Sequence, residues 1–295
     1  MRSLVAALVT VVLWASAFVG IRAAGEDLSP GALALGRLLV GSAALGAIVL
    51  IRREPLPGRR DLPGIAFCGV LWFGIYNVVL NEAEQRVDAG TASMLVNIGP
   101  ILIALLAGVL LHEGFPRSLM AGILVAFAGA AVIGVATSEQ GVAASWGAVL
   151  CVVAAFAYAG GVVAQKPLLA RASALQVTWL ACTVGAVTCL PFAPLLIPEV
   201  DDASRSAVGW MVYLGLVPTA IAFLTWAYAL SRTTAGRMGS TTYLVPPIAI
   251  LMGWAILGET PPGLAYLGGA LCLAGVVIAT RGRRPAIRRP VVASR

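Results

Sequence analysis

Ten uninterrupted apolar runs constrain this chain more than any other feature of its sequence. They lie at about positions 4–24, 29–51, 62–81, 88–111, 117–137, 143–165, 173–197, 206–230, 235–257 and 262–280. A membrane-spanning helix needs about twenty consecutive apolar residues. Transmembrane β-strands instead alternate apolar and polar residues. The predicted fold class is therefore an all-α integral membrane protein with ten transmembrane helices.

The charge content supports the same fold class. Charged residues make up only 11% of the chain, against about a quarter in typical soluble domains. So few charges exclude a cytosolic enzyme, a nucleic-acid-binding domain and a disordered chain. The loops between the apolar runs are also too short to hold a soluble catalytic domain.

The basic residues indicate how the helices are oriented. Cytoplasmic loops carry the excess of Lys and Arg, and with both termini inside, only Arg22, Arg86 and Arg205 fall in outside loops. Arginine supplies almost all the positive charge, which points to a GC-rich bacterial genome. The sequence predicts a multi-pass protein of the bacterial inner (plasma) membrane with both termini in the cytoplasm. Its basic tail, 282–295, is expected to lie near anionic lipid headgroups.

An internal repeat divides the chain into two halves. A shift of 146 positions superimposes 83–129 on 229–275 without a gap and aligns Pro, Gly, Glu and Arg together. We therefore predict one five-helix repeat at 1–140 and a second at 141–281, followed by the cytoplasmic tail. Because five is odd, the second repeat must be inverted relative to the first, an arrangement that suits alternating access.

Several motifs in these repeats resemble a known family. The chain is similar to the EamA-type branch of the drug/metabolite transporter superfamily in segment 14–18 (Trp-Ala-Ser-Ala-Phe), in Arg37, and in the stretches 83–113 and 229–259. Both stretches contain Ala-Gly, then a mid-helix Pro, and end in Leu-x-Glu. The resemblance implies a secondary transporter, commonly an exporter of amino acids or other small metabolites, and leaves the substrate open.

Six aromatic or amide side chains inside the predicted helices form the candidate substrate-binding set. They are Trp14, Asn77, Asn97, Tyr158, Trp226 and Tyr243. Most Trp and Tyr residues of membrane proteins lie at the interfaces, so those in the middle of a helix either stack on substrate or pack in the core. A buried amide needs a hydrogen bond, which either a substrate or a neighbouring helix supplies.

Two prolines and three charged residues are candidates for gating and coupling. Pro100 and Pro246 occupy equivalent places in the two repeats, where a proline interrupts helical hydrogen bonding and allows bending. Arg37 is the one basic residue deep inside a predicted helix, and an intramembrane charge is a functional candidate by default. It either pairs with Glu82 or Glu84, as a structural or gating contact, or binds a substrate carboxylate. Glu82 and Glu84 are also the candidates for proton coupling.

The sequence carries no enzyme signature. A nucleophile elbow and a phosphate loop are both absent, and the single His excludes a zincin site. We expect no catalytic residue, no metal, no cofactor and no nucleic-acid partner. The expected partners are membrane lipid and a small-molecule substrate, an amino acid or related metabolite, with the protein a monomer or weak homodimer.

The leading functional prediction is a secondary active transporter that exports such compounds. An uptake carrier or exchanger of organic acids, or a channel-like uniporter, remains open, because residues alone do not fix the direction of transport.

Overall fold

The computed structural model describes residues 2–111 and 142–281, together with positions 117–118, 121–122, 124–125, 128–129, 132 and 135. Helices occupy most of these residues, and no β-strand occurs among them. The helices are α1 (Arg2–Ala24), α2 (Pro30–Arg52), α3 (Arg59–Glu84), α4 (Ala89–Val96), α5 (Gly99–Leu110), α6 (Val142–Leu168), α7 (Ala174–Thr188), α8 (Ala193–Asp202), α9 (Arg205–Leu230), α10 (Ala235–Thr241), α11 (Val245–Leu257) and α12 (Gly263–Arg281).

The lengths of these helices suit a membrane. Among the described residues, six segments are long and apolar enough to cross one, if α4 and α5 are taken as a single span. Helices α7 and α8 make a seventh if the 48° bend between them lies within one span. The all-helical, apolar character predicted from the sequence is thus confirmed. The predicted fifth helix, 117–137, lies largely outside the described residues.

Helices α3 and α9 each contain a π-helical stretch, at Gly69–Ile75 and Gly215–Ile221. The same shift of 146 positions that relates the two halves of the sequence relates these stretches. A π turn disturbs the regular hydrogen-bond ladder, is rare, and is frequently found at functional sites. In α3 the side-chain amide of Asn77 compensates for the disturbed ladder. It donates to the carbonyls of Trp72 (3.3 Å) and Phe73 (2.7 Å).

Two further interruptions also lie at equivalent places. Helix α4 ends at Val96 and α5 begins at Gly99, immediately before Pro100. A 3₁₀ turn, Thr242–Leu244, separates α10 from α11 immediately before the second proline, Pro246. Each proline thus occupies the first turn of a new helix, where its missing N–H is tolerated.

Glycines allow close approach where the core is most crowded. A Cβ added to Gly69 would lie 2.6 Å from the carbonyl oxygen of Ala181, and one on Gly161 would overlap the Trp72 side chain. Small residues at helix contacts are the usual means of tight packing in membranes, because van der Waals contact drives helix association there. These contacts pack α3 closely against α6 and α7.

Charged groups tie different helices together at one end of the bundle, here called the Arg22 end. Arg22, near the end of α1, pairs with Glu259 (Nε to Oε1, 2.6 Å) and donates to the backbone carbonyl of Glu84 (2.7 Å). The Ser29 N–H, before α2, donates to the carboxylate of Glu199 in α8 at 2.7 Å.

A second set of contacts lies at the Asp61 end, which is the opposite end because Asp61 and Glu84 are near the two termini of α3. Arg171, after α6, pairs with Asp61 (Nε to Oδ1, 2.7 Å). Lys166 donates to the carbonyls of Leu230 (2.8 Å) and Thr233 (2.6 Å), which connects the ends of α6 and α9.

Candidate functional site

A cavity of about 50 Å³ lies among α1, α2, α3, α6, α9 and the two interrupted helices, α4–α5 and α10–α11. Its wall is formed by Trp14, Ala17, Phe18, Ile21, Arg37, Trp72, Tyr76, Leu80, Ser93, Val96, Asn97, Tyr158, Phe223, Thr242 and Val245. The wall is therefore mostly apolar and aromatic, with one charged group, a composition typical of small-molecule sites. No acidic side chain belongs to it within the described part of the chain.

Aromatic rings surround the centre of this cavity. Trp14 lies 5.3 Å from Phe223, 5.9 Å from Trp72 and 6.2 Å from Tyr158, measured between ring centroids. These three contacts have edge-on geometry, which suits the charge distribution of aromatic rings. Behind the wall, the ring of Trp226 is fully buried and lies 4.8 Å from Trp14. The rings thus form one cluster, which leaves little rotational freedom to each.

Hydrogen bonds one turn before Trp14 fix this part of α1 against α9. The Thr10 hydroxyl lies 2.8 Å from the Thr225 hydroxyl and 3.3 Å from the Ala222 carbonyl oxygen. Phe223 and Trp226 follow directly along α9, so this polar contact brings both rings beside Trp14. The ladder of α1 continues through the site without a break.

Helix α6 supplies Tyr158 and a glycine three residues later. The Tyr158 ring lies against Gly99, the first residue of α5, where a Cβ would overlap it. One turn on, Gly161 leaves the space that Trp72 occupies. Residues three apart share one face of a helix. One face of α6 therefore carries the Tyr158 ring and also leaves space for the Trp72 ring.

Several polar atoms at the cavity have no hydrogen-bond partner among the described residues. They include Trp14 Nε1 and Asn97 Nδ2. The Tyr158 hydroxyl lies beside Thr242 but lacks a partner of normal geometry. Unpaired buried donors are costly, and those in the cavity wall are placed where a ligand could accept from them.

Arg37 is the charged group of the wall, and its side chain is only 3% exposed. Its Nε and Nη2 both donate to the Thr219 hydroxyl, at 3.2 and 3.1 Å. The sequence offered pairing with Glu82 or Glu84 as one role for Arg37. Among the described residues Arg37 instead contacts a neutral hydroxyl and forms no ion pair.

Three of the six predicted substrate-binding residues line the cavity, namely Trp14, Asn97 and Tyr158. Trp226 packs behind Trp14, and Asn77 is buried against the π-helical stretch of α3. Tyr243 is half-buried and lies outside the wall, which its neighbour Thr242 joins.

The structure adds wall residues that the sequence did not single out, above all Trp72, Phe223 and Ser93. Trp72 and Phe223 are aromatic residues in apolar runs, and only their partnership with Trp14 in space marks them. Ser93 lies one turn before Asn97 and would have been found by extending the helical face of Asn97 backwards.

The two candidate carboxylates differ in environment. Glu82 pairs with Arg86, in the turn after α3, at 2.5 Å, and its side chain is one-third exposed. Glu84 is 1% exposed, and neither of its carboxylate oxygens has a hydrogen-bond partner among the described residues. The Glu84 backbone carbonyl accepts from Arg22, whose side chain also pairs with Glu259.

Comparisons with known proteins agree with this architecture. A model described as the EamA-like transporter family matches residues 1–135 and 145–281. A protein of Streptantibioticus cattleyicolor named as a probable terminal-alkyne amino-acid exporter is 43% identical, over 95% of this chain and 94% of its own. A probable amino-acid metabolite efflux pump of Salmonella typhimurium is 27% identical, over 94% of each chain. One solved crystal structure covers 96% of this chain and 99% of its own, with a TM-score of 0.70 and 22% identity, which shows a shared fold.

Proposed function

Because the chain belongs to the EamA-like transporter family and is therefore a membrane transporter rather than an enzyme, we propose that it exports amino acids or related amphipathic metabolites by alternating access. The observation that carries this proposal is the aromatic cavity with a single cation and unpaired donors in its wall. Amphipathic cargo needs apolar surface and a few oriented polar contacts. The names of the two relatives support amino acids as the cargo class.

The size of the cavity bears on which conformation of the transporter this structure represents. A volume of 50 Å³ holds roughly three to five water molecules, which is less space than an aromatic or branched amino acid needs. Interhelical ion pairs lie at both ends of the bundle, at Arg22 and at Asp61. We assign this conformation to a closed state between inward-open and outward-open forms, in which the cavity widens to admit cargo.

The proposed architecture has ten helices in two inverted repeats, 1–140 and 141–281. Matching π-helical stretches and matching breaks before Pro100 and Pro246 support the repeat. The contacts between helix ends support inversion, because the end of α1 meets Glu259 whereas the end of its counterpart α6 lies at the Asp61 end. In this arrangement the two interrupted helices bend when the repeats exchange conformations.

For proton coupling we favour Glu84 over Glu82. Glu82 has a partner four residues away in the chain, whereas Glu84 is buried next to the Arg22–Glu259 pair. The titratable and charged groups around Glu84 are Arg22, Arg37, Tyr76, Asp88, Cys151 and Glu259. Pairing of Arg22 with either Glu84 or Glu259 would link proton movement to the contacts at this end.

Counterflow in proteoliposomes tests the proposed function. Purified protein is reconstituted, vesicles are preloaded with unlabelled amino acids, and uptake of labelled amino acid is followed with and without a pH gradient. We expect transient accumulation for at least one amino acid. A channel would equilibrate the label without accumulation, and lack of counterflow for every compound would contradict the proposal.

Two tryptophan variants tie the transport to the cavity. Trp14→Ala removes the ring at the centre of the aromatic cluster, whereas Trp254→Ala removes a ring that is 61% exposed on the outside of the bundle. We expect Trp14→Ala to reduce counterflow at least about fivefold, since a stacking ring is worth about 1 kcal/mol or more. Equal rates for the two variants would place the substrate elsewhere.

A further inference from the structure

Arg37 is held against α9 by an unusually close helix crossing. A Cβ added to Gly215, in the π-helical stretch of α9, would lie 2.7 Å from the Arg37 carbonyl oxygen. A Cβ on Gly41 would lie 2.8 Å from the Thr219 methyl group. Two glycines, one on each helix, thus bring the backbones of α2 and α9 together. The close approach holds the guanidinium of Arg37 beside the Thr219 hydroxyl.

The hydrogen bonds of Arg37 leave much of its guanidinium available. The group has five N–H donors, and two of its nitrogens contact the same neutral oxygen of Thr219. Glu84 is the acid whose charge acts on Arg37, but the two form no ion pair and Glu84 does not line the cavity. A buried cation without an anionic partner is costly, so an anion is missing from this arrangement.

The geometry points to Arg37 as the residue that binds the carboxylate of the transported substrate, which makes that substrate an apolar or aromatic monocarboxylate. This inference rests on the proposed function and adds a substrate class to it. A guanidinium binds a carboxylate through two parallel hydrogen bonds. The apolar remainder of the substrate lies against Trp14, Trp72 and Tyr158, which line the same cavity.

The composition of the cavity wall also predicts that the amino group of the substrate contributes little to its binding affinity. No acidic residue lines the described cavity, so a substrate ammonium meets only aromatic faces and neutral polar groups. Cation–π contact with such faces is worth less than a charge-assisted pair of hydrogen bonds. A compound that keeps its carboxylate and loses its amine should therefore bind better than one that keeps the amine and loses the carboxylate.

Four related compounds separate these contributions. They are L-phenylalanine, L-phenylalaninamide, phenylpropionate and phenylethylamine. Binding to the purified full-length protein is measured by the rise in its thermal unfolding temperature with ligand concentration. We expect L-phenylalanine and phenylpropionate to bind roughly 10- to 100-fold more tightly than the amide and the amine, the effect of one charged hydrogen-bonded contact. Equal or tighter binding of the amide or amine would overturn the inference.

Variants assign the preference to one residue. Arg37→Met should bring the affinity for L-phenylalanine down to that for the amide, while Arg37→Lys should keep the preference for a carboxylate with weaker binding. Arg232→Met is the matched control, since it removes an exposed arginine that lies outside the cavity wall and should leave the carboxylate preference intact. If Arg37→Met does not fold, the role of Arg37 is still tested by the Arg37→Lys variant and by the four compounds on the unchanged protein.

The outcomes distinguish this inference from the proposed function. Counterflow of amino acids together with an unchanged carboxylate preference in Arg37→Met would leave the exporter standing and reject Arg37 as the anchor. Carboxylate binding that depends on Arg37, without counterflow, would support the anchor and reject the exporter.

Discussion

At the scale of single residues, hydrogen bonds to the backbone distinguish two buried amide nitrogens that the sequence treats alike. Asn97 and Asn77 are both buried amides inside helices, yet their surroundings differ. The Asn97 amide nitrogen lines the cavity without a partner, whereas the Asn77 amide nitrogen donates to two backbone carbonyls of α3. The two asparagine side chains thus have different roles, because only the Asn77 amide nitrogen donates to neighbouring backbone carbonyls.

This contrast predicts opposite effects of the same substitution. Asn97→Leu should change the free energy of unfolding by less than about 1 kcal/mol, because its amide nitrogen makes no hydrogen bond that would be lost. The same variant should strongly reduce the rate of counterflow. Asn77→Leu should destabilise the protein by about 1–3 kcal/mol, because buried carbonyls lose their donor. Thermal unfolding in detergent and counterflow measure the two effects. A larger stability loss in Asn97→Leu than in Asn77→Leu would contradict the assignment.

The sequence predicts residues better than it predicts their partners. Trp14, Asn97 and Tyr158 were identified because a polar or aromatic group in the middle of an apolar run is unusual. Arg37 was also identified, but its contact with Thr219, 182 positions away in the chain, has no local signature. Long-range contacts of this kind follow from the packing of helices, which periodicity alone does not specify.

At the scale of elements, the interrupted helices were predictable and the π-helical stretches were not. Proline in the middle of an apolar run marks an interruption, and the chain breaks within four residues of Pro100 and of Pro246. A π turn changes the register of a helix without any required residue type. It is therefore visible only in the backbone hydrogen bonds of α3 and α9.

The close approach of α3 and α7 gives a prediction at this scale. Gly69→Ala should destabilise the protein by about 1–3 kcal/mol, the usual cost of overpacking, because its Cβ would lie 2.6 Å from a backbone oxygen that has little freedom to move. The measurement is thermal unfolding of the purified variant in detergent.

Gly209→Ala is the matched control for this prediction. Gly209 also lies within a helix, but a Cβ there would meet nothing within 4 Å. Alanine has the higher helix propensity, so the control should be neutral or slightly stabilising. A neutral Gly69→Ala would mean that α3 and α7 are less tightly packed than this structure describes.

At the scale of the whole molecule, the ion pairs at the two ends should bias which side of the bundle opens. Glu259 joins Arg22 across helices, and Asp61 joins Arg171 at the opposite end. Removing one pair destabilises the state that is closed at that end of the bundle. The equilibrium then shifts toward the state that is open at that end. Both pairs are partly exposed, so each contributes up to about 1 kcal/mol.

A cysteine in the cavity wall reports this equilibrium. With Ser93→Cys in a background lacking the five native cysteines, Glu259→Gln should raise the labelling rate from outside up to about fivefold. Asp61→Asn should raise labelling from the cytoplasmic side instead. A membrane-impermeant maleimide, applied to whole cells and to inverted vesicles, measures both rates.

Glu82→Gln is the control for these two variants. Its partner Arg86 lies on the same stretch of chain, four residues away, so this pair does not join separate helices across the bundle. Its loss should leave labelling from both sides unchanged. If Glu259→Gln and Glu82→Gln behaved alike, the interhelical pair would have no part in closure.

The paired π-helical stretches of α3 and α9 also bear on the history of the protein. Two rare turns at matching positions, Gly69–Ile75 and Gly215–Ile221, are what the proposed repeat predicts if one gene that carried the wider turn was duplicated and fused. The two stretches differ in what they hold: one holds Trp72 in the cavity wall, and the other holds Thr219 beside Arg37. On the proposal of a duplicated gene, one inherited irregularity now serves the same cavity in two different ways.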